Sequence, residues 1–146
     1  MKKLVAIVVL ALSLSACNAG SKEHVCTFED QSRGLKSKLV HTHSGDVVKG
    51  FKETIVFSYE QYGISEEHKE AFQQQIKETF NPLYGETNVT YQDEKDTLTV
   101  IVSIVYDKET IKKLQESGVV TAGNISHISL KESIKELEAN GYNCGK

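Results

Sequence analysis

Residues 1–17 constrain this chain most, because they set the chemistry in which the remainder must fold. Lys2 and Lys3 give a positive start and Leu4 to Leu14 a run without charge, which is the pattern of an export signal. A helix that crosses a bilayer needs about 20 apolar residues, and this run is roughly half that. It suits export and makes a poor permanent span. Leu14, Ser15, Ala16 and Cys17 then place one apolar and two small residues before a thiol.

That ending resembles the lipobox of bacterial lipoproteins. The resemblance implies that the Cys17 sulfur receives a diacylglyceryl group, that residues 1–16 are cleaved as a lipoprotein signal peptide, and that the cysteine becomes the first mature residue. At roughly 0.8 kcal/mol per buried CH₂, one acyl chain holds a protein to a membrane only marginally, whereas two or three palmitate-like chains hold it stably. The expected location is the bacterial cell envelope, lipid-anchored on the extracytoplasmic side. A secreted protein with a chance cysteine at its cleavage site, or an uncleaved short anchor, is the alternative.

Losing residues 1–16 leaves 130 of 146 residues, one ordinary domain, and moves the formal net charge from −3 to −5 because Lys2 and Lys3 go with them. A mildly acidic chain with interspersed signs has no basic stripe, which argues against nucleic acid as a partner and leaves the acyl anchor as the membrane contact. With Cys17 lipidated, Cys26 and Cys144 form an even pair in an oxidising setting and are expected to be disulfide-bonded. Two unpaired buried thiols, or a redox-active pair, remain as alternatives; catalytic pairs usually sit close, as in Cys-x-x-Cys.

Residues 17–24 read as the lipidated cysteine and a short flexible tether, and residues 25–146 as a single domain. Alternation predicts strands over Val25 to Glu29, Leu35 to His43 and Val47 to Tyr59, an antiparallel meander with one wet face. In the third of these, Val47, Phe51, Ile55, Phe57 and Tyr59 share a side. Ser65 followed by Glu66 and Glu67 predicts a capped helix that carries Phe72, Ile76 and Phe80 and ends at Asn81-Pro82. Strands over Thr87 to Gln92 and Thr97 to Tyr106 follow. The second has apolar residues on both sides, with Ile101 and Val105 on the minor one, and reads as the central strand, covered at least partly on each face. Asp107 and Ser129 start two further helices, stopped at Gly118 and at Asn140-Gly141. The segment from Val119 to Ile128 is ambiguous. The expected fold is α+β, an antiparallel sheet with helices packed on one face, in the order βββαββαα plus a short extended tail.

The chain resembles the YehR-like small bacterial lipoproteins, a family without an assigned biochemical function. The resemblance is carried by Cys26-Thr27-Phe28, the Gly45-Asp46-Val47-Val48 hairpin and Tyr62-Gly63-Ile64-Ser65-Glu66-Glu67. Val89-Thr90-Tyr91, the strand from Leu98 to Tyr106 and Leu130 to Leu137 complete it. These are packing and turn features. They imply a lipid-anchored α+β domain and carry no catalytic residues to transfer.

His41 and His43 stand two apart on a strand, so both imidazoles point one way, a spacing able to hold Zn²⁺ or Cu²⁺. Two ligands do not make a site, nothing in the sequence brings Asp46, His24, His68 or His127 to them, and the plainer reading is two half-exposed histidines near a hairpin. Tyr59, Tyr62 and Tyr84 flank the first helix and are candidates for an aromatic binding surface, against the plainer reading of a core rim. Gly-x-Ser-x-Gly and phosphate-binding glycine loops are absent. The sequence therefore predicts an anchored, non-enzymatic binding or interaction module with no cofactor, its envelope-protein or small-molecule partner unspecified. The alternative is a small envelope enzyme or a metal-binding accessory protein that uses His41 and His43. A cleft with converging polar groups favours the alternative, a shallow apolar patch the first reading.

Overall fold

The computed structural model describes residues 20–121 and 125–145, so the signal segment and Cys17 lie outside the described residues. The chain forms β1 (Lys22–Asp30), β2 (Leu35–Ser44) and β3 (Val47–Ser58), then α1 (Lys69–Tyr84), β4 (Val89–Asp93) and β5 (Thr97–Val105). It ends with α2 (Lys108–Glu116), the two-residue β6 (Ile128–Ser129) and α3 (Leu130–Ala139). All strand pairs are antiparallel, in the order β1-β2-β3-β5-β4 with β6 beside the start of β3. The fold is the α+β arrangement that alternation predicts. Among the described residues no helix is long and apolar enough to cross a membrane.

One face of the sheet is the core. Ile55 and Phe57 of β3, Leu98, Val100, Val102 and Ile104 around β5, and Val89 of β4 pack with Leu114 of α2, under Phe72, Ile76 and Phe80 of α1. Removing such side chains from water supplies about 1.5–3 kcal/mol each, the main force that holds the helices to the sheet. The opposite face carries the aligned rows Val25, Val40, Lys52, Ser103 and Thr27, Lys38, Thr54, Ile101, all of them exposed or half-buried. Val105, expected to be partly covered, is 73% exposed there. β5 is an interior strand, but β3 is the central one: the long first meander supplies two strands beyond β3, and only short β4 lies beyond β5.

Local differences from the sequence reading have identifiable causes. β1 begins at Lys22, because Lys22, Glu23 and His24 pair with His43, Thr42 and His41; these residues, expected in the tether, belong to the sheet. A bulge between Thr42 and His43 leaves Lys49 unopposed, so Val48 rather than Val47 turns inward and is 2% exposed. Gly50 beside it admits no side chain, since a Cβ would meet the Ile104 carbonyl oxygen at 2.3 Å. Ser65 precedes a 3₁₀ turn, Glu66–His68, and bonds His68 Nδ1 at 2.7 Å instead of capping an amide. α1 runs through Pro82 to Tyr84: a proline in the last turn forfeits one backbone bond, and Tyr84 gains ring contacts with Phe51 and Phe80.

The two later helices start as their capping residues predict. Asp107 Oδ1 accepts from Thr110 N at 2.7 Å, and Ser129 Oγ from Glu132 N at 3.2 Å. Asp46, in the β2–β3 turn, adds a long-range clamp by accepting from Lys131 N and Ser129 Oγ, each at 2.8 Å. These bonds hold its carboxyl below the ordinary carboxylate range. The hairpin thereby fixes where α3 lies against the sheet.

Candidate functional site

Three polar residues are buried on the core face of the sheet: Ser37 and His41 of β2 and Glu53 of β3, at 6%, 4% and 8% exposure. All three sit toward α3 and the tail that follows it. Glu53 Oε1 accepts from Ser37 Oγ at 2.6 Å and from the Tyr142 hydroxyl at 2.8 Å. Among the described residues no lysine or arginine forms an ion pair with Glu53. A buried carboxylate in that position normally has a cationic partner or several donors.

Above Glu53 lies a cleft of about 360 Å³ between the sheet and α3, within the size range of small-molecule sites. His41 and Glu53 form its floor, Phe51, Tyr84, Tyr106 and Tyr142 its aromatic walls, and Ser133, Glu136 and Asn140 its α3 side. The Phe51 ring meets Tyr84 at 6.3 Å and Tyr106 at 5.9 Å. Burial raises the hydroxyl pKa of Tyr84 above its ordinary value, and the Glu53 charge adds to it. Burial is also the main cause at Tyr106, and at Tyr142, which is pushed up to about 12. All three stay neutral at physiological pH. His41 is pushed the other way, to about 4, by burial and then by the nearby His24 and His43, so its imidazole is uncharged.

A second cluster adjoins the first. The Cys26 and Cys144 sulfurs lie 2.12 Å apart, at disulfide distance. Thr27 and Asn143 exchange backbone bonds of 2.8 and 2.7 Å next to them, a single antiparallel bridge that fastens the tail to the edge of β1. His24 shares the inward face of β1 with Cys26, opposite His41. A nitrogen of His24 and the two sulfurs lie within 4.8 Å of one another.

The structure separates several residues that sequence spacing groups together. His41 is buried, whereas His43 uses its Nδ1 on the Gly45 carbonyl at 2.8 Å, and among the described residues no third ligand joins the two. Tyr59 is 2% exposed and donates to Asp93 Oδ1 at 2.6 Å; Tyr62 packs on Phe57 and Phe72; Tyr84 alone of the three tyrosines lines the cleft. Glu53 has no place in the sequence reading, and His24 enters it only as one histidine among several. Each carries a legible signal: Glu53 occupies the inward register between Phe51 and Ile55, and His24 continues the alternation of Cys26 and Phe28 backwards by one step.

A family model described as "Protein of unknown function (DUF1307)" matches residues 24–143. Among solved structures, the chain is similar to the E. coli YehR protein determined by NMR, at 17% identity and TM-score 0.51, over 85% of this chain and 91% of that one. It is also similar to the NMR structure of a protein from Streptococcus pneumoniae TIGR4, at 13% identity and TM-score 0.50, over 98% of this chain and 96% of the other. At such identities the likeness is one of fold. No curated protein matches the sequence.

Proposed function

The chain belongs to the DUF1307 family, and from that membership, which brings a fold and no assigned activity, we propose an envelope-anchored, non-enzymatic module that binds a small organic cation in the cleft beneath α3. The observation that carries this reading is Glu53, a buried carboxylate without an ion-pair partner among the described residues, under the rings of Phe51, Tyr84, Tyr106 and Tyr142. Aromatic faces attract ammonium groups by about 0.5–2 kcal/mol each when desolvated, and a carboxylate at the base adds the opposite charge. Glu136 on the rim has the same sign.

Binding without turnover is supported by the state of the polar groups. The tyrosine hydroxyls are raised, the His41 imidazole is a weak base, and Glu53 is occupied by two hydroxyl donors. An acid/base mechanism needs groups poised near the working pH, and burial moves the three tyrosines and His41 away from it. The converging polar groups are the feature expected of an enzyme or a metal-binding protein; the neutral tyrosines and His41 around a carboxylate held by two hydroxyls are what turn the reading to ligand capture.

The chain has six tyrosines and no tryptophan, so tyrosine emission reports the cleft without a brighter competitor. Choline titrated into the full chain should change that emission saturably, and Glu53→Gln, which keeps an acceptor for Ser37 and Tyr142, should weaken binding about tenfold or more. Glu78→Gln on the outer side of α1 should leave it unchanged. Absence of a saturable response to both choline and spermidine would reject the cation reading.

The anchoring is tested on its own. Cys17→Ser should move the protein from the membrane to the soluble fraction, and the wild-type mature product should carry its acyl mass on Cys17. An unacylated Cys17 in an intact-mass spectrum would remove the anchor from the reading while leaving the cleft untouched.

A further inference from the structure

We propose that, once the Cys26–Cys144 bond is reduced, Cys26, Cys144, His24 and His41 form a four-ligand site for a d¹⁰ cation, Zn²⁺ or Cu⁺. Three of the four donors are already gathered, a His24 nitrogen and both sulfurs lying within 4.8 Å of one another. Among the described residues no other group of three histidine, cysteine or carboxylate donors converges. His41 stands directly across from His24 in the β1–β2 ladder and is 4% exposed.

The unsatisfied atoms point to the same place. Among the described residues, the buried side-chain nitrogens and oxygens without a hydrogen-bond partner are His24 Nε2 and His41 Nδ1. Buried polar groups are nearly always satisfied, and one unsatisfied nitrogen on His24, beside the two sulfurs, with another on His41, its partner across the ladder, points to a common acceptor of their lone pairs. Two thiolates and two imidazoles are a set that Zn²⁺ takes tetrahedrally, with bonds of about 2.3 Å to sulfur and 2.0–2.1 Å to nitrogen. Soft thiolates equally suit Cu⁺. His43 and Asp46, the other donors near this hairpin, are engaged with the Gly45 carbonyl and with the start of α3.

The exchange balances with a dithiol as reductant. The dithiol gives two electrons and two protons to the Cys26–Cys144 bond and leaves as its own disulfide. The two new thiols then release their protons to solvent as their sulfurs bind the cation. In either state the tail is tied to β1, by an S–S bond when oxidised and through the cation when reduced. The cation site therefore exists only in the reduced protein, and occupancy reports the redox state of its surroundings.

The test uses the full chain, reduced and kept free of oxygen, with Co²⁺ as the spectroscopic stand-in for Zn²⁺. Thiolate-to-cobalt charge-transfer bands and tetrahedral d–d bands should appear, saturate at one equivalent and be displaced by Zn²⁺; the oxidised chain should show neither. Competition between Cu⁺ and Zn²⁺ for the reduced protein then decides which cation it prefers. His24→Gln and His41→Gln should each weaken binding by at least about tenfold, while His43→Gln leaves it intact. The wild-type spectrum needs no variant to fold: absence of thiolate bands from the reduced protein overturns the proposal. So do bands that persist unchanged in both His24→Gln and His41→Gln.

Discussion

Replacing Cys26 and Cys144 together by alanine is expected to lower the unfolding free energy by about 2–5 kcal/mol, a large share of what a domain of this size possesses. The two cysteines are 118 residues apart, so their bond closes nearly the whole domain into one loop. In the chain-entropy description, cross-linking a loop of about 100 residues removes about 4.7 kcal/mol of freedom from the unfolded chain. The folded state loses little when the bond goes, because Thr27 and Asn143 still exchange two backbone bonds and Phe28 still meets Tyr142 at 5.4 Å between ring centres. The effect therefore lies mainly in the unfolded ensemble, and urea denaturation can show that directly. The midpoint should fall and the slope should rise, since an unrestrained chain exposes more surface. A loss below about 1 kcal/mol with an unchanged slope would mean that the tail is held by its pairing to β1 and that the covalent bond is incidental.

The sheet was legible because its strands alternate cleanly. Cys26 and Phe28, Leu35 through His41, and Val100 through Ile104 each keep one parity, and burial of one face enforces it. Asp107 and Ser129 marked helix starts because a cap acts within one turn, at a range that sequence displays. What was not legible depends on contacts between distant segments. The bulge opposite Thr42 and His43 goes with Gly50 lying against the Ile104 carbonyl, a neighbour more than fifty positions away in sequence. The order of strands, with β3 in the middle, depends on which edge α1 carries the chain to, and alternation is silent on that.

The site divides in the same way. Spacing placed His41 on a strand but paired it with His43, the neighbour in sequence; the sheet pairs it with His24, the neighbour in space. Grouping Tyr59, Tyr62 and Tyr84 by their closeness to α1 likewise joined residues at opposite ends of that helix, of which only Tyr84 reaches the cleft. A polar residue in an inward register proves a better guide than proximity. Ser37, His41 and Glu53 all sit at such positions and all meet at one place.

That convergence carries an energetic consequence distinct from ligand binding. Glu53→Ala is expected to destabilise the fold by about 2–4 kcal/mol, more than the lost hydrogen bonds alone would cost. Removing the carboxylate leaves the Ser37 hydroxyl without its acceptor, and leaves Tyr142 with only its 3.3 Å bond to Ser37 Oγ. A buried donor stripped of its partner costs about 1–3 kcal/mol, whereas removing donor and acceptor together is close to neutral. The comparison that isolates this term is the triple variant Ser37→Ala, Glu53→Ala, Tyr142→Phe, which deletes every polar member of the network. It should be more stable than Glu53→Ala alone, although it lacks more atoms. If urea midpoints rank the triple variant below Glu53→Ala, the network contributes by packing, and the buried carboxylate is a filler of space instead of the acceptor that orders this end of the sheet.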